Sequence, residues 1–196
     1  IFLMMAAHDT TTSTLTSVVR VLAEHPIWQS RLREEMLALP APLSFADLAN
    51  MPLADQVMRE ALRMYAPVPT LPRFAKEAFE FKGHLIPGQS LVAISPLVSH
   101  YQRDIWSDPF QFDPERFAPH RAEDRRHRFA WIPFGGGVHK CIGMHFAENQ
   151  VKLLMHHLLR RFEWQLATPV AADVNWIPIC HPKDGLPVIL RKTSQT

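Results

Sequence analysis

The residues with the most chemical potential stand together between Phe129 and Gln150, in the run FAWIPFGGGVHKCIGMHFAENQ. Cys141 carries a soft, ionisable sulfur, and it follows three consecutive glycines, Gly135 to Gly137. Such a run has poor helix and strand propensity. It marks a loop whose backbone approaches something closely or takes positive φ. Phe146, Val151, Leu154 and Leu158 then recur at helical spacing, which puts Cys141 about where a helix begins. Unpaired N–H groups and the positive end of the helix dipole favour a thiolate there. That help is limited. Full ionisation of an ordinary thiol needs roughly 2 kcal/mol, and a helix end gives about 0.3–1. A bound metal would deprotonate the sulfur outright.

Three readings compete for this loop. The first has no chemistry: a glycine turn with a buried cysteine, a common small core residue. The second is phosphate binding. It fails on spacing, because G-x-x-x-x-G-K-[ST] starting at Gly135 needs glycine where Lys140 stands. The third is metal ligation. Zinc would take Cys141, His139 and His145, three ligands close in sequence with no clear fourth. A haem iron would take Cys141 alone as its axial thiolate.

Resemblance separates them. Phe134-Gly135-Gly136-Gly137-Val138-His139-Lys140-Cys141-Ile142-Gly143 resembles the haem-ligand signature of the cytochrome P-450 family, Phe-x-x-Gly-x-x-x-Cys-x-Gly, at every fixed position. The resemblance implies that Cys141 ligates the iron of haem b, that Phe134, Gly135 and Gly143 shape the loop, and that His139 bonds a propionate where most members carry arginine. A second stretch, Ala6-Ala7-His8-Asp9-Thr10-Thr11-Thr12, resembles the oxygen-binding groove of the family's long central helix, with Ala7 in place of the usual glycine. By that resemblance Ala6 lines the groove, Thr10 bonds dioxygen as it is reduced, and Asp9 belongs to the proton path. Read without the family, Asp9 or Thr10 serves equally as the cap of a helix starting there, after a buried strand over residues 1–7.

A third pattern is Glu60-Ala61-Leu62-Arg63. Residues three apart share a helix face, and an ordinary pair of this kind contributes only about 0.2–0.5 kcal/mol. Together with Asp113-Pro114-Glu115-Arg116-Phe117 it resembles the family's Glu-x-x-Arg helix closed by a downstream arginine. Glu60, Arg63 and Arg116 are then implied to form a structural triad behind the haem loop, serving folding and haem retention. Arg73 stands where the family often places a propionate-binding arginine. As a bare residue it reads as a strand surface charge.

These groups need elements to place them. The pattern predicts helices over residues 1–24, from Pro26 through Leu39, over Leu53–Tyr65, over Ser95–Tyr101, and from Cys141 to Arg160 or Arg161. Thr10 is expected to bond the Ala6 carbonyl and bend the first helix. Strands are expected at Thr70–Ala75, Phe79–Phe81, Leu91–Ile94, Phe162–Leu166 and Val188–Leu190, with turns at Lys82-Gly83-His84, Pro87-Gly88 and Pro182–Pro187. Arg31, Arg33, Glu34 and Glu35 read as a solvated face, and so does the basic run Arg121, Arg125, Arg126, His127 and Arg128. Cys180 reads as a small buried residue. The expected fold is mainly α with small β-sheets. By resemblance it is the C-terminal part of the cytochrome P-450 fold, residues 1–196 running from the central helix to the terminal hairpin of one haem domain.

Composition sets outer limits. The chain has 196 residues, 47% hydrophobic and 20% charged, ordinary for a globular protein. A net charge of +2 gives no argument for nucleic acid. Two cysteines make no disulfide framework, so a reducing, cytoplasmic setting is expected. No apolar run is long enough to span a bilayer. The resemblance implies a haem-thiolate monooxygenase that hydroxylates a small apolar substrate with O2 and NAD(P)H. Its electrons would come through a ferredoxin-, flavodoxin- or reductase-type partner, with Lys140 a docking candidate. The alternative is a haem-binding piece without catalysis, which would expose an apolar patch.

Overall fold

The computed structural model describes residues 2–171 and 173–193, with side chains from Ala6 onward; Ile1, in the expected first helix, lies outside them. Helix α1 (Phe2–Glu24) is continuous, so the alternative of a strand over residues 1–7 does not hold for the described residues. Three of its hydroxyls are absorbed locally. Thr10, Thr12 and Thr14 donate to the carbonyls of Ala6, His8 and Thr10 at 2.8, 2.8 and 2.9 Å. That back-bonding satisfies polar groups that otherwise compete with helix formation. Further along, Val18, Val21 and Leu22 enter the core.

Helix α2 (Pro26–Ala38) opens on proline, whose fixed φ and missing N–H suit a first turn. It buries Gln29, Leu32 and Met36. Gln29 is the unexpected one. Its amide donates to Leu22 O and Trp164 O at 3.1 and 3.0 Å, and accepts Trp164 N–H at 3.1 Å. A buried amide must be bonded this fully, because an unpaired one costs about 1–3 kcal/mol. Helix α3 (Pro52–Met64) buries Ala54, Val57, Met58, Ala61 and Leu62 against α1 and α2. Helices α4 (Pro96–His100) and α5 (Met144–Leu159) follow, and α5 adds Val151, Met155 and Leu159 to the same core.

The strands form antiparallel pairs. β1 (Leu71–Phe74) lies beside β4 (Leu91–Ile94), and β2 (Phe79–Phe81) beside β3 (His84–Ile86). β3 is not anticipated by the sequence pattern. Lys82 and Gly83 both take positive φ, 49° and 80°, so the turn is tighter than expected and His84 already belongs to the strand. β5 (Phe162–Leu166) pairs with β8 (Val188–Lys192), and β6 (Val174–Asn175) with β7 (His181–Pro182).

Two expected solvated surfaces are partly structural. On α2, Glu35 accepts the N–H groups of Leu53 and Ala54 at 2.7 and 2.9 Å, placing a carboxylate at the start of α3. Arg33 donates to Leu159 O and Phe162 O at 2.6 and 2.7 Å, covering carbonyls at the end of α5 and the start of β5. Only Arg31 and Glu34 stay exposed. In the basic run, Arg121 binds Asp113 and Glu123 at 2.6 and 2.7 Å, and Arg126 donates to Ile105 O at 2.7 Å. Arg125, His127 and Arg128 are exposed as expected.

Candidate functional site

The site is assembled from its base. Glu60 and Arg63 lie on one face of α3, and both are 0% exposed. Arg63 grips the Glu60 carboxylate with two bonds, Nε to Oε2 at 2.6 Å and Nη2 to Oε1 at 2.9 Å. A 3-10 turn, Pro114–Phe117, brings Arg116 to the same carboxylate, Nε to Oε1 at 3.2 Å. The Asp113 side chain caps that turn on Glu115 N–H, and Asp113 N–H bonds Glu60 Oε1 at 3.0 Å. The remaining guanidinium donors are used on backbone. Arg63 reaches His100 O, while Arg116 reaches Ser107 O, Asp108 O and Gln111 O. The three residues expected to form a triad are thus brought together.

A fourth charge was not legible in the sequence. Glu123, buried, takes Arg116 Nη1 at 3.3 Å, Arg121 Nη2 at 2.7 Å and Ser107 N–H at 3.0 Å. Burial pushes its carboxyl up, but those hydrogen bonds and the arginine charges outweigh it and hold the carboxyl below the usual range. Glu60 and Glu123 balance Arg63 and Arg116, so each charge of this cluster has a counter-charge. The signal available was Glu123 between Arg121 and Arg126, a run with five basic or acidic letters that looks like surface.

Two tethers run from this base to the glycine loop. Trp131 Nε1 donates to Arg59 O on α3 at 3.0 Å, and the Arg59 guanidinium lies over the Phe117 and Trp131 rings, 4.5 and 4.8 Å from their centroids. His100 at the end of α4 receives Ile132 N–H on Nε2 at 3.0 Å. Phe134 packs edge-on to Trp131, centroids 5.9 Å apart, and joins the core. The loop then closes on itself. Gly135 N–H bonds Ile132 O at 3.0 Å and Cys141 N–H bonds Phe134 O at 2.9 Å. Gly135 and Gly137 take φ of +71° and +67°, the left-handed region where a side chain is strained.

Cys141 stands at the open side. Its helix-start position is not what the structure shows. α5 begins at Met144 with Gly143 as its N-cap, and Lys140 is extended, so Cys141 lies in the loop before the helix. Its thiol is exposed and makes no hydrogen bond among the described residues. A Cβ built on Gly143 would stand 3.8 Å from that sulfur, so glycine there keeps one flank of it open. Val138 and Ile142 flank the loop at 96% and 100% exposure. His139 and Lys140 are exposed beside them. Arg73 on β1 bonds only Pro72 O, at 2.8 Å, and has no carboxylate partner among the described residues.

On α1, Thr10 is half-buried and its hydroxyl sits on Ala6 O. Asp9 is exposed and bonds His8 Nδ1 at 2.7 Å. The zinc alternative finds no support. Among the described residues no group of three or more His, Cys, Asp or Glu side chains is placed to hold a metal ion, and His145 instead bonds Glu148 at 2.9 Å. Cys180 is buried, and burial pushes its thiol up to about 11.

This fold, mainly helical with small antiparallel pairs, is the one seen in haem-thiolate proteins. A model of the cytochrome P-450 family matches residues 1–178, and the chain belongs to that family. A protein of Mycobacterium tuberculosis carrying the name cytochrome P-450 136 is 44% identical over 195 residues, covering 97% of this chain and 39% of its own length. A sterol 14alpha-demethylase of Mycolicibacterium vanbaalenii is 36% identical over 178 residues, 89% of this chain and 39% of its own. Among solved structures, cyanobacterial CYP120A1 with retinoic acid bound superimposes with a TM-score of 0.93 at 34% identity, over 98% of this chain and 45% of that one. The chain therefore spans about two fifths of the length of the curated relatives it matches. The family in general uses haem held by a cysteine thiolate. No helix among the described residues is long and apolar enough to cross a membrane.

Proposed function

We propose that this chain supplies the thiolate side of a haem-dependent monooxygenase. The observation that carries the reading is Cys141: an exposed, unpartnered sulfur on a loop whose opposite side is clamped to a buried charge cluster. The residues present fit the group. A soft sulfur suits iron, the apolar Val138 and Ile142 suit a macrocycle's faces, and His139 and Arg73, without carboxylate partners, suit its propionates. Haem with a thiolate ligand supplies the activation of dioxygen.

The chain's own residues would do the rest. Glu60, Arg63 and Arg116 hold the loop in one geometry so that Cys141 need not be reoriented. The Thr10 hydroxyl hydrogen is committed to Ala6 O, which leaves the oxygen lone pairs free to accept a bond. Asp9, exposed and bonded to His8, can hold a proton at Oδ1 and exchange it with solvent. Relatives named for a sterol and solved with retinoic acid support a small, apolar, lipid-like substrate. Electrons from NAD(P)H through a ferredoxin-, flavodoxin- or reductase-type partner would complete the reaction, with Lys140 exposed for docking. A reducing, cytoplasmic setting suits two free cysteines.

The test is the absorption spectrum of the ferrous carbon monoxide complex, on protein expressed from its full reading frame, beside Cys141→His. A strongly red-shifted Soret band that Cys141→His abolishes supports the reading; a band indifferent to Cys141 overturns it. A second reading, haem binding without turnover, draws support from the apolar side chains left open at Phe45, Leu91, Ile177 and Ile142. Substrate-dependent oxygen uptake separates the two.

A further inference from the structure

We infer that His100 is a positioning residue: its neutral imidazole fixes the Ile132 peptide, and through it the root of the Cys141 loop, onto the buried charge cluster. The functional meaning rests on the haem reading above; the test of the contact does not.

His100 is 0% exposed, the last residue of α4, and both ring nitrogens are engaged. Nδ1 lies 3.0 Å from Arg63 O and Nε2 lies 3.0 Å from Ile132 N. A carbonyl only accepts and a backbone N–H only donates. The partners therefore assign the hydrogen to Nδ1 and leave Nε2 as acceptor. A doubly protonated ring would set two N–H groups against each other at Ile132. Burial, with the Arg63 charge adding to it, pushes the ring's pKa down to about 3 against the opposing pull of the Arg63 carbonyl, so the acceptor is present throughout the physiological range.

The bonding is reciprocal on one side and directed on the other. Arg63 Nη1 donates to His100 O at 2.7 Å while His100 Nδ1 donates to Arg63 O, locking α4 to α3. The free acceptor then points to a backbone outside any helix or strand. From Ile132 the path continues by hydrogen bonds: Gly135 N–H to Ile132 O, then Cys141 N–H to Phe134 O. Trp131 is anchored separately on Arg59 O. One anchor leaves a loop free to swivel about it. Two anchors on adjacent residues fix its orientation, and the second depends on His100.

A buried histidine that merely satisfies itself is the simpler account, and it makes a different prediction. If His100 only fills space, any ring of its size serves. If Nε2 is what matters, an acceptor at the ε position must be kept. Amide hydrogen exchange, followed by residue in the haem-free protein, tests this in His100→Phe, His100→Gln and His100→Asn. Glutamine extends an amide oxygen to the ε position; asparagine stops short of it. Stranding a half-buried N–H should speed exchange at Ile132 and Gly135 by about ten- to a hundred-fold in His100→Phe. His100→Asn should resemble it, and His100→Gln should recover most of the protection. In the haem-loaded protein the same order should appear as the share of the red-shifted carbonyl band: Gln above Asn, Asn level with Phe.

Equal exchange in the Gln and Asn variants overturns the inference, and so does an unchanged Ile132 amide in His100→Phe. Should no variant fold, the unmutated protein still decides. Its Ile132 amide must exchange with core-like slowness and not at the rate of the exposed Val138 turn. A failed carbonyl spectrum with this order of exchange intact removes the haem reading and leaves the tether standing.

Discussion

Behind the glycine loop, five polar side chains are hidden and each is answered. Glu60, Arg63, Arg116, Glu123 and His100 are buried and bonded to one another or to backbone. On the loop itself, Cys141 and His139 are exposed without side-chain partners among the described residues, and Val138 and Ile142 are bare beside them. The loop from Ile132 to Cys141 runs between these conditions. The contrast teaches that the loop is a partition. Free energy of folding is settled on one side, where an unpaired charge would be costly. The other side is left open among the described residues, where the proposed haem would sit.

That comparison can be attacked from either side. Arg116→Leu should have the largest effect. It leaves Glu60 and Glu123 with too little positive charge in a buried site, a loss of about 3–5 kcal/mol read from urea unfolding. Cys141→Ser is its counterpart. It should leave haem-free stability within about 0.5 kcal/mol while removing the thiolate spectrum. Equal destabilisation by both would dissolve the partition.

Acid should weaken the fold through histidines whose rings are held neutral by burial. Burial lowers the pKa of His25, His100 and His156. A base whose folded pKa lies below its unfolded value of about 6.5 is fully stabilising above that pH. The contribution is lost as pH falls, with a slope of up to about 1.4 kcal/mol per unit for each proton taken up on unfolding. For His100 the loss runs on toward pH about 3. Guanidinium melts at pH 7.5 and 5 should show falling stability, and His100→Gln should flatten part of the fall. A profile that is level between these pH values would count against the buried, neutral ring.

Smaller effects sharpen the picture. Trp131→Phe keeps an aromatic over Arg59 but strands Arg59 O, and should cost about 1 kcal/mol. Arg73→Gln, on β1, should move stability by less than about 0.5 kcal/mol while weakening the proposed haem retention, measured by transfer to apomyoglobin. A stability loss larger than that of Trp131→Phe would place Arg73 with the buried side.

How much of this was written in the sequence follows from range. Helical periodicity is local, so α1, α2, α3 and α5 are legible to within a few residues. Glu60 and Arg63 are three apart on one helix, and Arg116 is legible only through the family's pattern. Glu123 and His100 are not legible at all. Each acquires its role from a partner in another segment, Ser107 for one and Ile132 for the other. Gln29 fails for the same reason, since Trp164 lies in another element. Cys141 is misplaced by a few residues because Gly143 fixes the helix start and nothing apolar marks it. The two-residue strands β6 and β7 are too short to carry a period.

The two sulfurs differ as the two sides of the loop do. Cys180 is sealed under α1, its carbonyl taking the Ser13 hydroxyl and its N–H bonding Pro67 O. Cys141 is in the open. A colourless thiol reagent added to native protein should therefore count one equivalent per empty chain and none per chain whose Cys141 is already ligated. The molecule carries its own occupancy gauge, readable by mass alone before any spectrum is taken.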